Sequence, residues 1–289
     1  MDIPVTPPSV RSHQLAILRL LQEFDRICSA LEIPYVLFAG TLLGAVRHRG
    51  FVPWDDDLDV LLLRQDYERL LREGPAVLNR EEFYLQGEFS EHWPMFFSKL
   101  RLNGTTCLEP YHPRDPECHQ GVCMDIFPCD NAAKTELGRK LQFFASKIVI
   151  AKCLNRRGYD TNRLSKRIFM ALCRLIPMGP ALRLTKQGKS NSQYVHSFLG
   201  GARSYGKNVY PREWLQTRCS AQFETGSFPV PTHADDLLNL LYGSYLEIPP
   251  QEQRARKKHA VFVDLDRSYA HYTHYRDGMT FDAPTRSIR

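Results

Sequence analysis

Ile17, Leu21, Phe24, Cys28 and Leu31 recur at spacings of four and three, which predicts an amphipathic helix over 12–31 with Ser12 as its N-cap. Pro34 follows, and "YVLFAG" (35–40) reads as a buried strand ended by Gly40. "TLLGAVRH" (41–48) resumes a helical pattern behind Thr41 as N-cap. "LDVLLL" (58–63) is a second strand, and "RQDYERLLREG" (64–74) a helix capped by Asp66 and stopped at Gly74-Pro75. "FYLQGEF" and "FFSKLRLNGTTCL" predict two more strands, with Asn103-Gly104 as a turn signal. "VCMDIFPCD" (122–130) predicts a short strand ending at its proline. Residues 131–189 read as helical, "YGKNVYPREWLQTRCSAQFETGSFPVP" has hairpin-like alternation, and Asp235 to Tyr242 is a short helix. From about Arg254 the chain is charged and aromatic without clear periodicity.

Composition narrows the class. With 43% hydrophobic and 24% charged residues, a chain of 289 residues buries a sizeable core without a disulfide scaffold, and its eight cysteines are irregularly spaced. "MDIPVTPPSV" has neither a basic start nor an apolar run, so the expectation is no secretory leader, reduced cysteines and a cytoplasmic location. No apolar run reaches the length of about 18 residues that a transmembrane helix needs. The nearest candidates, "FFASKIVIAKCL" and "IFMALCRLIPMGPAL", are interrupted by Lys147, Lys152 and Arg174, and fit core helices or helices lying on a surface.

The net charge of +6 is unevenly spread. Residues 134–189 carry 14 Lys+Arg and 2 Asp+Glu, a local +12, which leaves −6 on the remainder. Such a segment is a solvated helical face, a nucleic-acid patch, or a platform against an anionic membrane. Phe, Ile, Leu and Met are mixed with its Lys and Arg, as in interfacial helices. That mixture favours peripheral membrane association, and no specific nucleic acid is expected.

The densest charge is elsewhere. "PWDDDLDV" (53–60) sets four aspartates in five positions and runs straight into "LLL". An acidic solvated turn is one reading. An EF-hand loop is excluded, because its sixth position is Val60 where glycine is needed. The third reading is a catalytic metal site at a strand end. On an extended strand Asp57 and Asp59 share a face, while Leu58, Val60 and Leu62 point into the core. Carboxylates so placed raise one another's pKa, a penalty that a divalent cation removes, and oxygen-only ligands favour Mg²⁺ or Mn²⁺ over zinc. Upstream, "FAGTLLGAVRH" offers a strand, Gly40-Thr41 and a helix start, a setting in which free backbone N–H groups and the Thr41 hydroxyl meet a phosphate.

"GTLLGAVRHRGFVPWDDDLDV" followed by "RQDYERLL" closely resembles the signature of the LicD family, the phosphocholine transferases and fukutin-type phosphotransferases. "GVCMDIFPCD" and "LLNLLYGSYLEIPP" with "RARKKH" are similar to its downstream blocks. The resemblance implies an α+β, nucleotidyltransferase-like mixed sheet flanked by helices, with the basic helical stretch as an insertion. The expected division is a catalytic core over 1–130, the insertion over 131–189, and a C-terminal part over 190–289 that completes the catalytic domain. It implies that Asp57, Asp59 and Asp125 bind metal and catalyse. Gly40, Thr41, Arg47, Trp54, Lys99, Arg101 and His259 are the substrate-binding candidates. The implied donor is a CDP-linked alcohol, choline or ribitol among the candidates, and the acceptor a cell-surface glycan hydroxyl, with release of CMP. The implied location is the cytoplasm, at the inner face of a membrane. A nucleotidyl transfer on the same fold, or an inert basic RNA- or membrane-binding protein, are the alternatives.

If choline is the cargo, its quaternary ammonium requires aromatic faces, for which Trp54, Trp93, Phe96 and Phe97 are candidates, with core packing as the other reading of each. Cys107, Cys118, Cys123 and Cys129, with His112 and His119, raise a structural zinc site, although only Cys118 and Cys123 have ligand-like spacing.

Overall fold

A computed structural model describes residues 8–109, 117–159, 161–187, 192–200, 204–254 and 259–275. The first amphipathic pattern is helix α1 (Val10–Ala30), which buries Ile17, Leu21, Phe24 and Cys28. It begins two residues earlier than the pattern predicts, because Ser9 is the cap and its side chain accepts from the Ser12 N–H. After a two-residue strand β1 (Val36–Leu37) comes helix α2 (Ala39–His48). Its cap is Phe38, without a side-chain bond, so Thr41 lies inside the first turn instead of capping it. Ala39 opens that turn at φ +47°, a left-handed conformation unusual for a residue with a Cβ.

β2 (Asp59–Leu63) leads directly into α3 (Arg64–Val77). Its cap is Leu63, not Asp66, and Pro75 sits in its last turn without stopping it at Gly74. β3 (Phe83–Gln86), β4 (Ser98–Leu102), β5 (Thr106–Leu108) and β6 (Cys123–Asn131) follow. The main sheet has the order β1-β2-β6-β4-β3. β2 and β6 run parallel and the other neighbours antiparallel, a mixed sheet with α1 and α3 packed against it.

Pro128 does not end β6, which continues three residues past it. The Asp125 N–H bonds Leu58 on the β2 side, so alternation turns position 128 toward the opposite side. There β4 pairing has stopped at Ile126, and pairing with β7 (Tyr194–His196) starts only at Asp130. The missing N–H therefore costs the ladder nothing.

The basic segment forms α4 (Glu136–Arg156), α5 (Leu164–Leu175) and α6 (Met178–Thr185), bent by 102° between the last two. It is joined to the sheet through Gln142, which accepts from the Ala133 N–H and donates to the Asn131 and Thr185 carbonyls. β7 pairs antiparallel with β8 (Val209–Pro211), which is followed by a short α7 (Glu213–Gln216) and the hairpin β9 (Arg218–Phe223) with β10 (Gly226–Pro231). α8 (Ala234–Tyr242) packs on α2, and a short α9 (Gln251–Arg254) follows. The aperiodic tail holds β11 (Phe262–Asp264), which pairs with β5. No single helix among the described residues is long and apolar enough to cross a membrane.

Candidate active site

The acidic loop is held from three directions. Gln14, on the buried face of α1, donates its amide to the Val52 (3.2 Å) and Asp55 (2.8 Å) carbonyls. Asp56 accepts the backbone N–H groups of His259 (2.8 Å) and Ala260 (3.1 Å), which ties the loop to the C-terminal segment. The Thr41 hydroxyl accepts from the Asp59 N–H at 2.8 Å and fixes the start of β2 against α2. Gly40 gives the carboxylates room, since a Cβ there would lie 3.0 Å from Asp55 Oδ2 and 3.9 Å from Asp57 Oδ1.

Parallel pairing then sets Asp59 directly beside Asp125 in register. Leu58, Val60 and Leu62 are buried in the core, and Asp57 and Asp59 remain partly exposed. Burial and the charge of Asp55, followed by Asp125 and Asp56, push the Asp57 carboxyl up to about 8, with His259 opposing. Burial, Asp57 and Asp125 drive Asp59 far above the usual carboxylate range. This is the penalty expected of clustered carboxylates lacking enough counter-charge. An all-oxygen donor set under that strain fits a hard divalent cation such as Mg²⁺ or Mn²⁺.

The protein supplies two cations of its own. Lys99 is 1% exposed and reaches Asp125 Oδ1 at 2.7 Å and Glu109 Oε1 at 2.8 Å. Burial opposes its charge, but Asp125, Cys123 and Glu109 outweigh burial and raise its pKa. Its bond to one oxygen of Asp125 orients the carboxylate and leaves the other oxygen for a ligand. His259 lies 3.3 Å from Asp56 and 3.1 Å from Asp57. Burial pulls its imidazole down, but the bond to Asp56 and the charges of Asp57, Asp56 and Asp55 outweigh that and raise it to about 10. The ligating atoms of Asp55, Asp56 and His259 also lie within 4.8 Å of one another. Asp56, however, spends both oxygens on backbone N–H groups, so its place is that of a loop anchor.

A cavity of about 60 Å³ opens among Asp57, Asp125, Lys99, Glu109, His13 and His259. Larger grooves of about 420 and 470 Å³ lie elsewhere, and none is lined by Asp57, Asp59 or Asp125. His13 and Glu109 were not among the residues singled out from sequence. His13 is 4% exposed, its Nε2 has no hydrogen-bond partner among the described residues, and burial, only partly offset by Asp56, keeps its pKa low. Its signal was present, since the apolar stripe of α1 extended back four residues from Ile17 lands on His13. Glu109 also bonds Arg157 at 2.6 Å; burial works against its charge, but Lys99 and Arg157 hold it well below the ordinary carboxylate range. Tyr242 on α8 is 42% exposed as a residue, yet the desolvation of its hydroxyl and the charges of Asp59, Asp57 and Asp55 push it up, which marks it as a neighbour of the acidic group.

Other candidates lie apart. Arg101 is 2% exposed, donating to Gln86 Oε1 (2.6 Å) and the Gly121 carbonyl (2.9 Å), so it faces protein rather than a ligand. Arg47 donates to the Tyr245 carbonyl at 2.6 Å and links α2 to the loop after α8. Trp54, partly buried, lies beneath Arg254 at 4.7 Å and Arg47 at 6.0 Å. Trp93 is fully buried against Lys99, Arg101 and Arg157, and Phe96 and Phe97 are core residues, so these three rings form no open cage. The cysteines are dispersed. Cys118 accepts from Gln86, Cys129 meets the Tyr210 hydroxyl, and the free thiols of Cys107 and Cys123 share a hydrogen bond. Both ring nitrogens of His119 are engaged, by Asn103 and the Gly121 N–H, and His112 lies outside the described residues. Among the described residues these groups assemble no zinc tetrad.

Residues 32–106 match the nucleotidyltransferase domain of the LicD/FKTN/FKRP family. The chain is 27% identical over 257 residues to the lipopolysaccharide cholinephosphotransferase LicD of Haemophilus influenzae, covering 85% of this chain and 94% of that protein. It is 40% identical over 52 residues to an uncharacterized protein of Rickettsia prowazekii, 18% of this chain and 20% of the relative. An uncharacterized protein of Rickettsia typhi is also 40% identical over 52 residues, 18% of this chain and 17% of the relative. The matched domain holds the Gly-Thr turn, all four aspartates of the acidic loop and Lys99, while Asp125 and His259 lie beyond it. Residues 32–106 thus match a LicD-type nucleotidyltransferase domain, and the chain is similar to LicD over most of its length.

Proposed function

We propose that this protein is a metal-dependent phosphotransferase that moves a phospho-alcohol, phosphocholine first among the candidates, from a CDP-linked donor to a hydroxyl of a cell-surface glycan and releases CMP. The observation that carries the reading is the in-register placement of Asp59 beside Asp125 on parallel strands, with Asp57 one alternation earlier. The similarity to a lipopolysaccharide cholinephosphotransferase over most of both chains supports the substrate class. We assign Asp57, Asp59 and Asp125 to holding Mg²⁺ or Mn²⁺, which when bound neutralises donor phosphates and aligns the attacking hydroxyl with the leaving oxygen.

The chain's own groups do the positioning. Lys99 and Glu109 fix Asp125, Thr41 fixes Asp59, and Asp56 draws the His259 segment over the site. Gly40 and the start of α2 are assigned to the donor phosphates, where backbone N–H groups and the helix dipole favour an anion. His259, 3.1 Å from Asp57 at the mouth of the acidic group, is assigned to a phosphate oxygen of the donor. Trp54 is the aromatic candidate that remains for the donor alcohol. The reaction is placed in the cytoplasm, at the inner face of a membrane that carries the acceptor.

The test is incubation with CDP-choline or CDP-ribitol, Mg²⁺ or Mn²⁺, and a lipopolysaccharide acceptor. CMP release with phosphocholine on the glycan is the expected result. Pyrophosphate release with a nucleotide on the acceptor would replace this reading with nucleotidyl transfer, and no product from either donor would overturn it.

A further inference from the structure

Eight of the fifteen exposed large apolar side chains among the described residues lie between Leu137 and Ile176, inside the segment that also carries the +12 charge. On α5, Leu164, Ile168, Leu172 and Leu175 are 52% to 81% exposed. At 100° per residue they fall within an arc of about 80°. Met170 and Cys173, on the opposite side, are buried, and α4 reaches them through Asn155 to the Met170 carbonyl and Lys152 to the Cys173 carbonyl. α5 is therefore apolar on two faces. One face is consumed by the fold, and the other is covered by nothing among the described residues. Arg163, Arg167 and Arg174 are exposed and share one flank of the outer stripe, with Arg183 exposed on α6. α4 repeats the arrangement with exposed Leu137, Leu141 and Phe144 beside exposed Lys140.

We infer that the outer face of α5 lies in the interface of an anionic lipid bilayer, its four aliphatic side chains among the acyl chains and its arginines at the phosphate headgroups. Charge decides the occupant. A stripe of aliphatics flanked by guanidinium groups within a +12 segment complements an anionic bilayer on both counts, whereas two copies of this face would bring their arginines together. A helix of 12 residues is too short to span a bilayer, so it lies along the surface. The inference deepens the membrane placement proposed above and rests on that reading only for the nature of the acceptor.

The full chain should float with vesicles of phosphatidylcholine containing about a third phosphatidylglycerol, and not with phosphatidylcholine alone. The pair Ile168→Glu and Leu172→Glu should reduce the bound fraction at least about tenfold. Arg167→Gln with Arg174→Gln, which keeps good helix formers, should weaken binding and flatten its salt dependence. Circular dichroism checks that each variant is folded. Flotation needs no donor, acceptor or turnover, so it can fail while CMP release succeeds, and the reverse. CMP release on a soluble acceptor should be unchanged in all these variants. Absence of flotation on anionic vesicles, or flotation indifferent to the Glu pair in a folded variant, would overturn the inference. So would a dimer in light scattering that the Glu pair dissolves, since a second copy would then own the face.

Discussion

Thr41→Val tests how the site is held. Valine matches threonine in shape, so no cavity forms, and what is lost is the acceptor for the Asp59 N–H, bonded at 2.8 Å. A neutral hydrogen bond contributes about 1 kcal/mol net, and stranding a buried donor costs about 1–3 kcal/mol. Asp59 is only partly buried, so water recovers part of that and the expected loss is about 1–2 kcal/mol. For a chain of this size it corresponds to a fall of about 2–4 °C in Tm. The kinetic effect should be larger. Thr41 fixes the backbone of a carboxylate that must meet its partner on β6, and a displacement of about 1 Å can cost about 100-fold in rate. We expect kcat to fall by up to that factor with donor KM unchanged, and Thr41→Ser to behave like wild type. The assays are thermal melts with CMP release across donor concentrations. A Val variant that melts and turns over like wild type would refute the reasoning. A raised KM with unchanged kcat would show that the hydroxyl serves the donor instead of the strand.

Further expectations follow from neighbouring contacts. Lys99→Met strands Asp125 and should cost about 3 kcal/mol, the low end for a broken buried pair because Asp125 and Glu109 are each about a quarter exposed; urea melts should show partial recovery when Glu109→Gln is added. Asp57→Asn and Asp59→Asn should each weaken Mn²⁺ binding by calorimetry at least about tenfold without lowering metal-free stability, because each relieves like-charge repulsion. Gly40→Ala should reduce CMP release far more than Tm, since the new Cβ presses on Asp55 Oδ2 at 3.0 Å. His196 is fully buried, and burial pushes its imidazole down to about 4. It stays neutral in the fold while the unfolded chain protonates near 6.5, so its contribution is complete above that pH and declines as pH falls toward 4, by at most about 3 kcal/mol. His196→Gln should flatten this part of the stability–pH curve.

What could be read from the chain was whatever local pattern encodes. The alternation of Asp57, Leu58, Asp59 and Val60 put carboxylates on one face and the core on the other before any partner strand was known. The helices α1, α3 and α8 and the β9–β10 hairpin carry their own periodicity. Thr41 was misread as a cap because its true partner, the Asp59 N–H, is a tertiary one 18 residues on. The resemblance named Lys99 and Arg101 together as substrate-binding candidates, but no local pattern could show that Glu109 and Asp125 answer the first and Gln86 and Gly121 the second. Pro128 suggested a strand end because a missing N–H matters only where a neighbouring strand waits for it. β11 is three residues long and owes its existence to β5, so no periodicity announced it.

The grip of Asp56 on the amides of His259 and Ala260 has a consequence for biosynthesis. The acidic loop leaves the ribosome some 200 residues before the segment that anchors it. Throughout translation, its crowded carboxylates must therefore wait without that clasp. The last of its ties closes only when the late-made stretch folds back across the first-made third, so a chain halted short of His259 would keep its aspartates, with Gln14 and Thr41 to brace them, and lack the clasp on Asp56.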